Sequence, residues 1–491
     1  MHTSALVASL AACSVTSILV ACAAPTKPAT EAPAEHAATT RDAAIAASPA
    51  QAGTFTVDFA REQATKPEGW EPLFNGKDLA GWTNVNTSPS TWSVGKDEAG
   101  NPVIACTGSP TGVMRTDRQY RNFVFEMEYS HRKPGGNAGL FVWSDAICAR
   151  GVPFTRSIEV QVMDGVESRM ADGRLRYTSQ GDIFSIHGAS MVPDRPHPEG
   201  WQRCLPSEDR TKGAPEWNHY RVICVDGTIK LEVNGKEVSG GKDIKPRQGY
   251  ICLEAEGSPI WFRNLRIKTL PENRMLMPAP EMRADPELAE FRPLLDGTLD
   301  HWTMPKESEG HWKVEDWTLN FDGQGGDLWS KESFGDFELI ADWRWSGPAQ
   351  GKQRRPVIGP KGDAVRNADG SEMTEEIDEY DSGIFLRGKP ESQVNMWNWS
   401  VGSGEVWGYR TNPSMSAAVR EACTPVEKAD APIGQWNRFR IRMQGDVLNV
   451  WLNGKHVLKD ASLPGVPATG PIGLQKHGSA VQWANIYVRK L

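Results

Sequence analysis

From about residue 70 onwards the chain is written in short runs where apolar and polar residues alternate. Val124-Phe-Glu-Met-Glu-Tyr129, Arg221-Val-Ile-Cys-Val-Asp226 and Thr228-Ile-Lys-Leu-Glu-Val233 are rich in β-branched and aromatic residues. Several keep the period of two that turns successive side chains of a strand to opposite faces. Asp226-Gly227 separates two runs and Asn234-Gly235 closes the next. Both dipeptides suit a two-residue hairpin turn, which needs positive φ at its central positions. The second half repeats the pattern as Phe439-Arg-Ile-Arg-Met443, Gly445-Asp446, Val447-Leu-Asn-Val-Trp-Leu452 and Asn453-Gly454. No segment sustains a helical period, so no helix longer than about three turns is expected in either half. Many short strands with regular turn punctuation predict an antiparallel sandwich or jelly roll.

The pattern is a duplication. Leu73-Phe-Asn-Gly-Lys-Asp-Leu-Ala-Gly-Trp82 returns as Leu294-Leu-Asp-Gly-Thr-Leu-Asp-His-Trp302. Trp217-Asn218 and Asn234-Gly-Lys236 return as Trp436-Asn437 and Asn453-Gly-Lys455, both at one offset. A repeat of about 200 residues is a whole domain, not a solenoid unit. The expected organisation is a signal peptide over 1–22, an Ala/Thr/Pro-rich tether over 23–65, a first sandwich over 66–270, a Pro-rich linker over 271–290 and a second sandwich over 291–491. Two long Gly-, Pro- and charge-rich loops are read at 186–215 and 347–378.

Composition adds a location and a partner class. Ala5 to Val20 is apolar or small, and Leu19-Val-Ala-Cys22 resembles a bacterial lipobox, which predicts lipidation at Cys22 and export to the periplasm or cell surface. No Lys or Arg precedes the apolar run. Residues 23–65 are too poor in large apolar side chains to bury a core and are expected to be a disordered tether. With net charge −8 and no Lys/Arg block interleaved with aromatics, nucleic acid is not an expected partner. Nineteen Trp point to β-rich domains and to flat platforms on which sugars stack. Of the six Cys after Cys22, Cys148 and Cys204 lie in polar, loop-like stretches and are the first candidates for a disulfide; no Cys or His pair has zinc spacing. The acidic run Glu375-Glu-Ile-Asp-Glu-Tyr-Asp381 could hold a structural calcium through hard oxygen ligands, and no other cofactor is expected.

The opening Leu73 to Trp82 resembles that of the bacterial 3-keto-disaccharide hydrolase domain, once filed as a domain of unknown function. Gly136-Asn-Ala-Gly-Leu-Phe141, Ile158-Glu-Val-Gln-Val-Met-Asp164, Glu216-Trp-Asn218, Val233-Asn-Gly-Lys236 and Leu253-Glu-Ala-Glu-Gly-Ser-Pro-Ile-Trp-Phe-Arg-Asn264 follow in the family's order. A more divergent second copy shows Asp381-Ser-Gly-Ile-Phe-Leu-Arg387, Gln435-Trp-Asn437 and Gly470-Pro-Ile-Gly-Leu-Gln-Lys-His-Gly478. The resemblance implies two tandem concanavalin A-like β-sandwich jelly rolls acting on glycosides already oxidised to a ketone at C3. Such a ketone acidifies the C2 proton, so the chemistry needs a base at C2, a group to stabilise the enolate and an acid for the leaving oxygen.

Glu159 and Gln161 alternate with Val160 and Val162, which puts the polar pair on one strand face, read as the open side. Glu159 is the candidate base, Arg263 the enolate stabiliser, and Glu256 or His187 the acid. Gln161, Asp164, Asn137 and Trp143 are candidate sugar contacts. In the second copy, aligning Val394 with Val160 puts Gln393 at the Glu159 position and Asn395 at the Gln161 position, while Ala484 replaces Arg263. An amide takes no proton at neutral pH. That copy offers Arg387, Asn395, Trp397 and His477 as sugar-binding candidates, with His477 also a candidate base. Two function classes follow: an exported 3-keto-glycoside hydrolase working by C2 proton abstraction, elimination and hydration in the first copy, or a lectin-like surface lipoprotein that binds carbohydrate without cleaving it.

Overall fold

A computed structural model describes residues 55–165, 168–177, 180–272 and 277–491. The expected signal peptide, with Cys22, lies outside the described residues.

The alternating runs become strands whose apolar sides meet between two sheets. In the first sandwich, Ile158, Val160 and Val162 face Phe125, Met127, Tyr129 and Val222 in one core. The front sheet has seven strands in the order Arg203–Cys204, Gln180–Ile186, Ser157–Met163, Asn137–Ser144, Tyr250–Ala255, Gly112–Thr116, Trp82–Asn84. The nine-stranded back sheet is centred on Phe123–His131, flanked by Asn218–Val225 and Ile260–Thr269. The second sandwich repeats the plan with a five-stranded front sheet, in which Asp381–Leu386 lies between Gly470–Leu474 and Lys389–Trp397, and an eight-stranded back sheet centred on Phe337–Trp345. The hairpin turns form as read: φ is 45° and 83° at Asp226-Gly227, 46° and 85° at Asn234-Gly235, and 53° and 84° at Asn453-Gly454.

Strand register makes the repeat residue-specific. Gly139 pairs with Gln161, Phe141 with Glu159 and Leu140 with Leu253 in the first copy. Gly383 pairs with Asn395, Phe385 with Gln393 and Ile384 with Leu474 in the second. Gln393 therefore stands at the Glu159 position, Gln475 at that of Glu254, His477 at that of Glu256, and Asp381 at that of Asn137.

Three expectations are corrected. The end of the tether is ordered: Val57–Thr65 is a helix, N-capped by Thr56, whose side chain accepts from the Phe59 N–H. Ala60 and Ala64, one turn apart, pack it against Val124, Ile223 and Val225 on the outer face of the back sheet. The Pro-rich linker is partly built in, because Ala284 is buried and its N–H donates to Gln248 O at 2.9 Å. Cys148 and Cys204 form no disulfide; both are buried thiols, Cys148 in a contact between the sandwiches and Cys204 in the first core.

That contact was not foreseen. Val113, Phe141 and Cys252, on the outer face of the first front sheet, share one apolar cluster with Ile340 and Tyr487 from the back sheet of the second sandwich. The loop 145–156 fastens it. Asn485 Nδ2 donates to Ala149 O (3.1 Å) and Val152 O (2.9 Å), Arg438 Nη2 donates to Cys148 O (2.9 Å), and the Gly151 N–H donates to Asp342 Oδ2 (2.9 Å). Arg438 and Asp342 also pair at 2.6 Å, so the charges brought into the contact neutralise each other. On the first back sheet the positions of Ile340 and Tyr487 are held by Glu126 and Arg266, which pair with each other and stay at the surface cleft.

Candidate functional site

The front sheet of the first sandwich brings Glu159, Glu254 and Glu256 together with Asn137 and Gln161. Glycine makes this possible: a Cβ on Gly139 would stand 2.5 Å from Glu254 Oε2 and 3.1 Å from Glu159 Oε1, so only a bare strand lets the two carboxyl groups flank it. Asn137 Nδ2 donates to Glu256 and its Oδ1 accepts from Gln161 Nε2 at 2.8 Å. Three carboxyl groups in little water cannot all ionise. Burial, and then the Glu256 charge, push Glu159 up to about 8; burial holds Glu254 well above the carboxylate range; burial and then Asp316, reaching over from the second sandwich, push Glu256 up to about 7. Arg203, on the short edge strand Arg203–Cys204 that closes the insertion after residue 186, joins the edge of this row through Asp182 at 2.6 Å. Sequence reading missed Arg203 because a two-residue strand shows no periodicity to place it.

The expected exposure of this row is overturned. The alternation holds, but Glu159 is 6% and Gln161 4% exposed, and Val113, Phe141 and Cys252 on the same face pack against the second sandwich. Burial and the neighbouring Glu256 charge favour the protonated form of Glu159.

The other first-copy candidates lie elsewhere. Arg263 is in the back sheet, held by Glu128 (2.6 Å) and Asp97 and stacked on Trp217. The chain changes sheets between Tyr250–Ala255 and Ile260–Thr269, so Glu256 and Arg263 part company. Asp164 is on the core side of its strand by alternation and accepts from the Ala214 N–H at 3.3 Å. Trp143 is fully buried and its Nε1 donates to Arg121 O at 2.8 Å, a core role. His187 stands beyond the end of Gln180–Ile186 at φ 52°, its ring on Phe154, away from the row.

The equivalent face of the second sandwich is open. A cavity of about 440 Å³ is lined by Asp381, Phe385, Gln393, Asn395, Trp397, Trp399, Trp407, Gln475 and His477, with Arg355 at one end. Trp397 and Trp399 stack with centroids 4.2 Å apart and planes 5° from parallel. His477 Nδ1 is 3.3 Å from Asp381 Oδ2. Burial, and then the Glu379 charge, push Asp381 up to about 7, while burial lowers His477, so the imidazole is neutral at pH 7. Two buried polar atoms on the lining, Asn395 Oδ1 and Trp399 Nε1, have no partner within the protein. Unpartnered buried groups are costly. Gln393, at the Glu159 position, bonds Gln475. Arg387 is not part of this cavity: it ties loops together through Gly335 O, Gly445 O, Pro467 O and Asp336.

The acidic run meant for calcium is spent on ion pairs. Glu376 pairs with Lys352 and Glu379 with Arg355, Asp381 lies against the neutral His477, and no group of three metal-ligating side chains occurs among the described residues.

The profile of a family described as the 3-keto-alpha-glucoside-1,2-lyase-like domain matches residues 69–268 and again 290–489. A 3-keto-disaccharide hydrolase from Bacteroides thetaiotaomicron is 22% identical over 254 residues, 41% of this chain and 79% of that protein. Among solved structures, a Parabacteroides distasonis protein provisionally described as a glycosyl hydrolase is 22% identical, with 43% of this chain and 97% of that one covered at a TM-score of 0.31. The carbohydrate binding module CBM66 from Bacillus subtilis is 12% identical, with 38% and 96% covered at 0.26.

Proposed function

Because the chain belongs to the 3-keto-alpha-glucoside-1,2-lyase-like family through both halves, we propose that it is an exported hydrolase of 3-keto-glycosides whose reaction runs in the second sandwich. The observation that carries this reading is the open cavity containing the Asp381–His477 pair, at the positions that Asn137 and Glu256 hold in the first copy.

His477 Nε2 takes the C2 proton while Asp381, on Nδ1, fixes the ring and favours the imidazolium that forms. The C2–H electron pair becomes the C2=C3 bond of an enolate, which a fixed hydrogen-bond donor binds more strongly than the ketone, lowering the barrier. Collapse of the enolate restores the C3 ketone, makes C1=C2 and expels the glycosidic oxygen, which takes the proton from His477. Water then adds across C1=C2, hydroxyl to C1 and hydrogen to C2, so the sum is hydrolysis. Cys22 would anchor the exported chain by a lipid, with the reaction in the periplasm or at the cell surface.

The test is reducing-sugar release from a 3-keto-disaccharide. His477→Ala should lower kcat by about 10²- to 10⁴-fold, while Glu159→Gln, a change in the first sandwich, keeps turnover. Loss with Glu159→Gln and retention with His477→Ala would move the chemistry to the first sandwich.

A further inference from the structure

The outer face of the second back sheet carries a row of arginines matched by carboxylates, with one exception. Arg438 pairs with Asp342, Arg440 and Arg442 with Glu338, and Arg489 with Glu338 and Glu290. Arg344 stands two residues beyond Asp342 on the same face of its strand. Its polar partner among the described residues is an amide, Gln482, with no carboxylate in ion-pair reach. Burial lowers its pKa, and no neighbouring charge acts against that.

The guanidinium is nevertheless held in one place. It lies over the Trp436 ring, 4.7 Å from the centroid, and its Nε donates to Gln482 Oε1 at 2.7 Å. Gln482 is itself oriented by donating through Nε2 to Asn320 Oδ1 at 2.6 Å. Trp436 is fixed from the first sandwich, since a Cβ on Gly151 would collide with its ring. With Nε engaged, the two terminal NH2 groups are left to the cleft that Arg344 lines, of about 620 Å³. The carboxylates of that cleft are engaged elsewhere, Asp322 with His311 at 2.9 Å and Glu315 with Asn320 at 3.3 Å.

The first copy shows what a guanidinium on this tryptophan takes. Trp217 is the counterpart of Trp436, and Arg263 lies over it at 3.9 Å with its donors on Glu128 and Asp97. In the second copy Ala484 stands at the Arg263 position, and Arg344, at the position of Ser130, covers the tryptophan instead. Asp342, at the Glu128 position, has both oxygens taken by Arg438, Asn485 and the Gly151 N–H. A planar fork of this kind matches the two oxygens of a carboxylate or of a phosphate or sulfate ester. The rest of the lining suits hydroxyl groups: Lys313, Asn320 and Ser346 present polar ends, while Phe321 and Trp345 are 2% and 5% exposed and reward no apolar ligand.

We propose that this cleft on the back of the second sandwich binds an acidic saccharide, its oxyanion on the terminal NH2 groups of Arg344 and its hydroxyls on Lys313, Asn320 and Ser346. The site is separate from the Asp381–His477 cavity, which lies on the front sheet.

Calorimetric Kd values of the full-length protein for glucuronate, glucose 6-phosphate, methyl glucoside and inorganic phosphate test it. At least one acidic sugar should bind about tenfold or more tightly than both methyl glucoside and inorganic phosphate. Arg344→Gln should remove that advantage and leave methyl glucoside unchanged. Arg344→Lys, which keeps the charge but loses the fork, should recover only part of it. Acidic and neutral sugars bound alike, or an affinity unmoved by Arg344→Gln, would overturn the site. Inorganic phosphate bound as tightly as the acidic sugars would overturn the saccharide. Turnover of a 3-keto-disaccharide should be the same in Arg344→Gln as in the parent, which shows that the variant is folded and scores the catalytic reading independently.

Discussion

Where the first sandwich sets Asn137 against Glu256, the second sets Asp381 against His477. The exchange turns an amide holding a half-neutral acid into a carboxylate holding a base. Asp381 does its part only when ionised, because a protonated carboxyl no longer favours the imidazolium. With Asp381 raised to about 7, kcat/KM should climb as pH rises through about 7 and level off above it. Asp381→Asn removes the titrating group, so the limb near pH 7 should vanish along with part of the rate; an unchanged limb in that variant would assign the titration to another group. His477 was legible in the sequence from its position after Gly470-Pro-Ile-Gly-Leu-Gln-Lys. The role of Asp381 was hidden in an acidic run, since nothing in a string of Glu and Asp says which one loses its water.

At the scale of elements, strands and turns followed the sequence closely, because alternation and Asn-Gly or Asp-Gly pairs act through local sterics. The helix Val57–Thr65 did not announce itself. Its signal is two alanines one turn apart behind a Thr cap, and it acquires meaning only from the apolar patch of Val124, Ile223 and Val225 beneath it. Thr56→Ala should cost about 1 kcal/mol by leaving a first-turn N–H without its acceptor, measured as a lower midpoint in urea; Thr56→Ser should restore most of it. Arg263 shows the complementary failure. Its strand was read correctly, but whether consecutive strands pair in one sheet or step to the other is not encoded in alternation, and here Tyr250–Ala255 and Ile260–Thr269 belong to different sheets.

On the scale of the whole molecule, the duplicated sandwiches are joined head to tail, the front sheet of the first against the back sheet of the second. The arrangement covers the first copy's front face at Val113, Phe141 and Cys252, while a cavity stands on the second's. Asp342 is fully buried and is bonded by Arg438, Asn485 and the Gly151 N–H together. Asp342→Ala should cost about 3 kcal/mol by stranding the arginine in the contact. The two sandwiches should then melt in two calorimetric transitions where the parent shows one; a single transition at the parent's temperature would mean that the contact adds no cooperativity.

The sequence by itself determined the duplication, the strands, the hairpin turns, the layer to which each valine belongs and the substitution of Gln393 for Glu159, because all of these depend on local sterics or on side-chain identity at a fixed register. Only the tertiary structure decided which copy is open. Glu159 and His477 occupy the same sheet face in their own domains, but burial and neighbouring charge set what a titratable group can do, and both are properties of what packs on that face. On the first copy it is a second protein layer; on the second it is a cavity of about 440 Å³.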